Sequence, residues 1–249
     1  MLMYHSAPAS GPGSPLAVPR PLIDRQWRAL RSDGWELRGL TDALGRARTD
    51  PDARIVGVTF DDGFSDFLGV LDLLSAHKAQ ATLYLPTSYL DAPERGDGPW
   101  LSWADVARLP RDLVEIGSHA HVHSPLDVLP RADVCYEVRH SRQRLTERIG
   151  TEPVSFCYPN GYSSRSVRHT VSEAGYANAC IVGRRLADPD GDPYAVPRLQ
   201  VTPAHDEAGV HSLVASGETG WMPRLKRPVY PAWRAVRFAA YRGAGKMLT

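Results

Sequence analysis

Seven short apolar or β-branched runs recur along the chain: Leu2–Tyr4, Ile55–Phe60, Ala81–Leu85, Val114–Gly117, Val154–Tyr158, Ala179–Val182 and Ala195–Val201. Longer segments with helical spacing separate them, such as Trp27/Leu30, Phe67/Val70/Leu71/Leu74 and Val134/Val138/Leu145/Ile149. Ser102 with Asp105 offers a capping box ahead of a short helix. Strands that alternate with helices make a mostly parallel sheet with helices outside it. The strand count suits a closed or nearly closed α/β barrel, a fold that uses about 250 residues as one domain. An open doubly wound sheet is the alternative. The expected layout is one α/β domain over residues 1–218 and a basic extension over 219–249.

Composition agrees with a globular chain. The 249 residues are 43% hydrophobic and 23% charged, which excludes a disordered, collagen-like or coiled-coil chain. With 29 Lys and Arg against 28 Asp and Glu, the net charge of +1 gives no reason to expect a nucleic-acid partner. The three cysteines, Cys135, Cys157 and Cys180, form no Cys-x-x-Cys pair and read as small buried hydrophobes in a reducing compartment. The opening MLMYHSAPAS has no charged region before an apolar run, so no signal peptide is expected. No apolar stretch is long enough to span a bilayer. The default expectation is a soluble, cytoplasmic protein.

The unusual polar clusters all stand where a strand ends. His5 follows the first strand, Asp61-Asp62-Gly63 the second, His119 the fourth and Tyr158-Pro159-Asn160-Gly161 the fifth. In parallel α/β architectures these ends share one face, which carries the active site. Two adjacent carboxylates repel each other and lose hydration unless a cation or hydrogen bonds compensate. Gly63 would let the chain turn so that both face one cavity. The plainer reading is that one Asp caps a helix starting near Ser65 and the other is solvated. His119, His121 and His123 crowd into five residues. On a helical turn His119 and His123 share a face, as in two-histidine zinc sites, whereas an extended segment would bring in His121. Two His and one Asp would hold zinc or another borderline divalent ion with positions left open, an arrangement for catalysis.

These motifs resemble one known family. The Thr59-Phe60-Asp61-Asp62-Gly63 run, the His119-x-x-x-His123 run after Glu115-Ile116-Gly117-Ser118, and the Tyr158-Pro159-Asn160-Gly161 turn are similar to the polysaccharide deacetylases, carbohydrate esterase family four. The likeness extends from Met1 to about Gly217. It implies a distorted (β/α)7 barrel and hydrolysis of N-acetyl groups on amino sugars. It also implies a divalent metal, Zn²⁺ first, with Co²⁺, Ni²⁺ or Mn²⁺ as substitutes. Carried over, it makes Asp62, His119 and His123 the metal ligands and Asp61 the general base for water. The family's third motif supplies a backbone N–H for the oxyanion, and Tyr158 is the candidate for it here.

The chain also departs from the family pattern. Ala120 follows His119 where Ser or Thr is usual, no Arg lies in Phe156–Gly161, and Asn160 stands where an aromatic residue is common. No Leu-x-x-His motif closes the barrel; His211 reads as a surface residue of a helix over Ala208–Ala215. Members that open with Met-Tyr-His and carry Pro-Arg near the last strand differ in the same way, and Met3-Tyr4-His5 and Pro197-Arg198 match them. In those members, which act on poly-N-acetylglucosamine and related glycans, the His is the acid for the leaving amine. The plainer readings are a His5 that caps a terminus and a surface ion-pairing Arg198.

The expected substrate is an N-acetylated amino sugar in a glycan, an oligosaccharide, or a lipid- or nucleotide-linked form. A same-fold amidohydrolase acting on a non-carbohydrate amide and an inactive glycan-binding module are the alternatives. Trp100 and Trp103 are candidates to stack on a sugar, and Trp103 is equally a helix anchor in the core. Residues 223–249 carry basic residues with interspersed Trp233, Val236, Phe238 and Tyr241 and no acid. That pattern suits contact with an anionic membrane surface or a glycosyltransferase, or a solvated extension without a partner.

Overall fold

The computed structural model describes residues 1–11, 14–94 and 98–217. Among them lie eight strands: β1 (Leu2–Tyr4), β2 (Glu36–Arg38), β3 (Ile55–Phe60), β4 (Ala81–Leu85), β5 (Val114–Ser118), β6 (Ser155–Cys157), β7 (Asn178–Gly183) and β8 (Val196–Gln200). All of their pairings are parallel. β3 to β8 follow one another in order, and β1 joins β8 back to β3. Seven strands therefore close a ring, a distorted (β/α)7 barrel. The open sheet is ruled out.

The distortion sits at β3. Its first half, Ile55–Gly57, pairs with β2, while its second half, Val58–Phe60, pairs on that flank with β1. The seven-run reading omits β2 because Glu36-Leu37-Arg38 holds one buried apolar residue between two charged ones. Such a segment joins a sheet only because β3 has an unpaired flank to offer it.

Helices cover the outside: α1 (Arg20–Ser32), α2 (Leu40–Thr49), α3 (Leu71–His77), α4 (Thr87–Asp91), α5 (Trp103–Arg108), α6 (Arg131–Ile149), α7 (Arg165–Glu173) and α8 (Glu207–Ser216). Their ends obey local chemistry. Ser102 and Asp105 form the expected capping box on α5, and Ser164 and Asp206 cap α7 and α8. α6 stops at Gly150, whose φ of 71° costs a glycine little. None of these helices is long and apolar enough to cross a membrane. The basic extension, including the segment 223–249, lies outside the described residues.

Alternation along each strand sorts side chains into two layers. Leu2, Tyr4, Val56, Val58, Phe60, Ala81, Leu83, Leu85, Val114 and Ile116 join the main core under the helices with Trp27 and Leu30. The intervening residues point into the barrel, where the filling is largely polar. Thr82 donates to Glu115 (2.6 Å), Asn178 to Thr41 (3.0 Å) and Ser155 to Asn178 (2.6 Å), while the Tyr84 hydroxyl meets Ser155 at 2.5 Å. Each of these buried polar groups is paired, as burial requires.

Gly117 belongs to this inner layer. A Cβ there would lie 2.4 Å from Tyr84 ring carbons and 3.2 Å from the Ser155 carbonyl. Gly117→Ala should therefore destabilise the barrel by about 1–3 kcal/mol through overpacking. Urea denaturation followed by circular dichroism measures it.

Candidate active site

The inner layer continues past the strand ends and builds the site. In the β1–β3 register Tyr4 faces Phe60, so His5 and Asp61 are the next pair, and the Asp61 N–H donates to the Tyr4 carbonyl at 3.0 Å. Asp61 follows Gly57 and Thr59 on the inward side of β3. His119 extends the inward series of β5, and Arg198 is an inward residue of β8.

Arg198 is fully buried and grips Asp61 with both arms, Nη1 to Oδ1 at 2.6 Å and Nη2 to Oδ2 at 2.7 Å. Nη1 also donates to Thr59 Oγ1 (2.8 Å) and Nη2 to Cys157 Sγ (3.0 Å). The surface reading of Arg198 is thus replaced by a buried one. Burial pushes the Asp61 carboxyl up, but the Arg198 charge and hydrogen bonds outweigh it and hold the carboxyl below its ordinary range. Asp61 is a fixed anion.

Strand parity would send Asp62 outward. Instead Asp62 and Gly63 both take left-handed backbone, with φ of 73° and 74°, which swings the second carboxylate to the same mouth. Neither Asp61 nor Asp62 caps the 3₁₀ turn at Ser65–Val70, which has no side-chain cap. The capping alternative therefore falls.

His119 and His123 converge with Asp62, but on no helical turn. The chain after β5 is irregular, and Ala120 and His123 have φ of 64° and 59°. Asp62 Oδ1 lies 3.4 Å from His119 Nε2 and 3.2 Å from His123 Nε2, and the two Nε2 atoms are 3.2 Å apart. His121 turns away and bonds Thr87 Oγ1 through Nδ1 at 2.8 Å. The intervening loop is held by the Glu137 carboxylate, which accepts from the N–H groups of His121 and Val122 at 2.9 Å each.

This triangle fits a metal. Three donors about 2.0–2.1 Å from a tetrahedral ion are spaced roughly 3.3 Å apart. His119 Nδ1 is 2.8 Å from the Cys157 carbonyl, so Nδ1 carries hydrogen there and Nε2 is the nitrogen that faces Asp62 and His123, where it could serve as a ligand. Two imidazole nitrogens and a carboxylate brought together this way suit a cation between them. A second group, Asp61, His119 and Cys157, also has its donor atoms close together. There Arg198 already balances Asp61, so the Asp62 triangle is the better fit for a divalent ion.

His5 is half-buried, and its Nδ1, which is buried, has no hydrogen-bond partner. Burial lowers its pKa more than the Asp61 and Asp62 charges raise it, so the imidazole rests neutral. Tyr158 is placed differently from expectation. Its N–H donates to the Cys180 carbonyl (3.2 Å), its hydroxyl donates to the Tyr194 carbonyl (3.0 Å), and its ring packs in an outer cluster with Phe156 and Tyr176. The N–H is taken up because the β6–β7 ladder runs one residue past β6, on which the side chains of Ser155 and Cys157 face inward. Cys157, which the sequence reading counts as an ordinary buried hydrophobe, therefore touches Arg198 and lies 3.5 Å from Asp61.

The sequence pattern of the family described as Polysaccharide deacetylase matches residues 48–179, more than half of the chain. The chain belongs to that family. Among solved structures, Streptococcus pyogenes deacetylase PplD in complex with acetate shares 19% identity at a TM-score of 0.75, covering 87% of this chain and 96% of its own. IcaB from Ammonifex degensii shares 21% identity at 0.74, covering 86% and 94%. A de-N-acetylase from Aggregatibacter actinomycetemcomitans shares 18% at 0.73, covering 85% and 97%. Likenesses of this degree speak to the fold. A comparison with curated proteins finds no match.

The buried pair gives the family site here a measurable signature. Arg198→Met would strand the Asp61 charge and should cost about 3–5 kcal/mol of stability. The Asp61→Asn/Arg198→Met double variant should recover part of that loss in thermal denaturation. Because the folded pKa of Asp61 is depressed, its stabilisation is complete above the unfolded value near 4 and disappears as pH falls through the folded value. Wild type should therefore lose stability more steeply than the double variant on acidification below about pH 4.

Proposed function

We propose that this chain is a metal-dependent hydrolase that removes N-acetyl groups from an N-acetylated amino sugar. The observation that carries the reading is a three-donor metal triangle beside a separate carboxylate that a buried arginine holds out of the triangle. Family membership supports the same reading.

Asp62, His119 and His123 would hold the ion. When bound, a divalent ion supplies Lewis acidity that favours ionisation of water and polarises an acetyl carbonyl. Asp61 accepts the water proton. Arg198 occupies one lone pair on each of its oxygens, and Oδ2 also accepts from the Cys157 thiol at 3.5 Å, which leaves Oδ1 the freer oxygen. A fixed pair of this kind keeps the carboxylate aimed without reorganisation during the reaction.

The tetrahedral oxyanion needs a neutral donor as well. The Tyr158 N–H is committed to Cys180, and Pro159 has none, so the Asn160 N–H takes that role in the turn. Asn160 is left-handed, with φ of 57°, and this orientation departs from the preceding strand. His5 protonates the leaving nitrogen. Since burial keeps its resting ring neutral, the proton it delivers is the one that Asp61 took from water, and passing it on returns Asp61 to the carboxylate.

Acetate release from N-acetylglucosamine oligomers, with and without chelator and added Zn²⁺ or Co²⁺, tests the reading. Strong metal loading with no acetate released from any N-acetylated sugar would overturn it. Two variants separate the roles. His5→Ala should lower kcat by roughly 10²–10⁴-fold, the range for a lost general acid, with metal content unchanged. His123→Ala should lose metal together with activity. Metal stoichiometry measured beside kcat distinguishes the two.

A further inference from the structure

A row of aromatic rings leads away from the metal triangle, and the deacetylation chemistry does not use it. Phe64 follows Asp61-Asp62-Gly63 directly. Its ring lies 4.5 Å from that of Trp100, which lies 4.5 Å from Tyr89, and Tyr89 in turn is 6.1 Å from the His123 ring. Trp100 is only 8% exposed and backs the row, whereas Phe64 and Tyr89 are half-buried and keep part of their rings in solvent.

The row is tied to the same backbone as the metal ligands. Phe64 bridges Trp100, the Leu101 N–H donates to the Gly63 carbonyl (2.9 Å), and the Ser65 N–H donates to the Pro99 carbonyl (2.9 Å). α4, which carries Tyr89, donates from Thr87 to the Ala120 carbonyl (3.2 Å) and from Ser88 to the His121 carbonyl (2.9 Å). The rings are therefore held at a set distance from the ligand loop. Trp103, the other candidate, is spent elsewhere: its Nε1 donates to Asp91 (2.8 Å), and Arg144 and Arg148 lie over its ring.

We propose that Phe64 and Tyr89, backed by Trp100, form the wall on which the apolar face of the substrate's pyranose ring rests. The inference builds on the amino-sugar reading and names the surface that would separate a sugar amide from a small acetyl compound. Partly exposed aromatic faces beside a polar centre match a ring with one C–H face and hydroxyl edges. A metal site that acted on any small amide would have no use for them.

The test compares two acetyl substrates, N-acetylglucosamine oligomers and the sugar-free ester 4-nitrophenyl acetate, in wild type, Tyr89→Ala, Tyr89→Phe and Phe64→Leu. Tyr89→Ala should lower kcat/KM for oligomers about tenfold more than for the ester, through KM, and Tyr89→Phe should restore most of it. Equal losses on both substrates, or no loss on oligomers, would overturn the wall. Oligomer binding to metal-loaded Asp61→Asn protein, read by tryptophan fluorescence, separates the two ideas. If wild type releases no acetate but oligomers still bind and Tyr89→Ala abolishes that binding, the wall stands and the activity falls. If oligomers bind Asp61→Asn and Asp61→Asn/Tyr89→Ala equally, or bind neither, the wall falls.

Discussion

The site depends on one charge pair inside the barrel. An arginine and an aspartate taken out of water lose hydration worth several kcal/mol each, and only close bidentate contact with further hydrogen bonds offsets it. Arg198 obtains these from Asp61, Thr59 and Cys157. The pair also requires ring closure, because Arg198 comes from β8 and Asp61 from the end of β3, and β1 is the strand that joins them. Were the sheet open at β1, the guanidinium would have no carboxylate to meet.

Much of the remaining geometry comes from backbone that leaves the strand regime. Among the described residues, five non-glycine positions have positive φ, and three of them, Asp62, Ala120 and His123, lie in or between the residues of the Asp62 triangle, while Asn160 lies in the turn after β6. Such conformations cost of order 1 kcal/mol or more each and persist where surrounding contacts impose them. Here they undo the parity of the strands. They bring a second carboxylate and a second imidazole to a mouth that regular extension would have denied them.

That division explains how much could be read in advance. Ile55–Phe60 and Ala81–Leu85 are continuous apolar runs with sharp polar ends, and their bounds are the observed ones. The gathering of His5, Asp61 and His119 follows from parallel topology alone. What the chain hid was parity and context. Counting inward positions along Ser155-Phe156-Cys157 would have placed Cys157 inside and Tyr158 outside, but that needs the strand's phase, which an apolar run does not reveal. The His119–His123 spacing invited a helix, yet two left-handed residues achieve the same convergence in a loop. β2 carries too little apolar signal to be seen without its partner, and the burial of Arg198 depends on a carboxylate 137 positions away.

Two neighbouring aspartates with one chemical nature end in different states because their counter-charges differ in kind. Asp61 is paired with a guanidinium that cannot leave or change protonation, so its counter-charge is the same whether or not an ion is bound nearby. Asp62 faces imidazoles, groups that exchange a proton for a metal ion. Burial opposes its ionisation, but the hydrogen bonds from His119 and His123 hold its pKa well below the ordinary range. The Asp61 pair is thus insulated from whatever binds the Asp62 triangle, while the charge of that triangle depends on its imidazoles. The fold can keep its internal charge balanced whether or not the triangle holds an ion, because the arginine serves only the base.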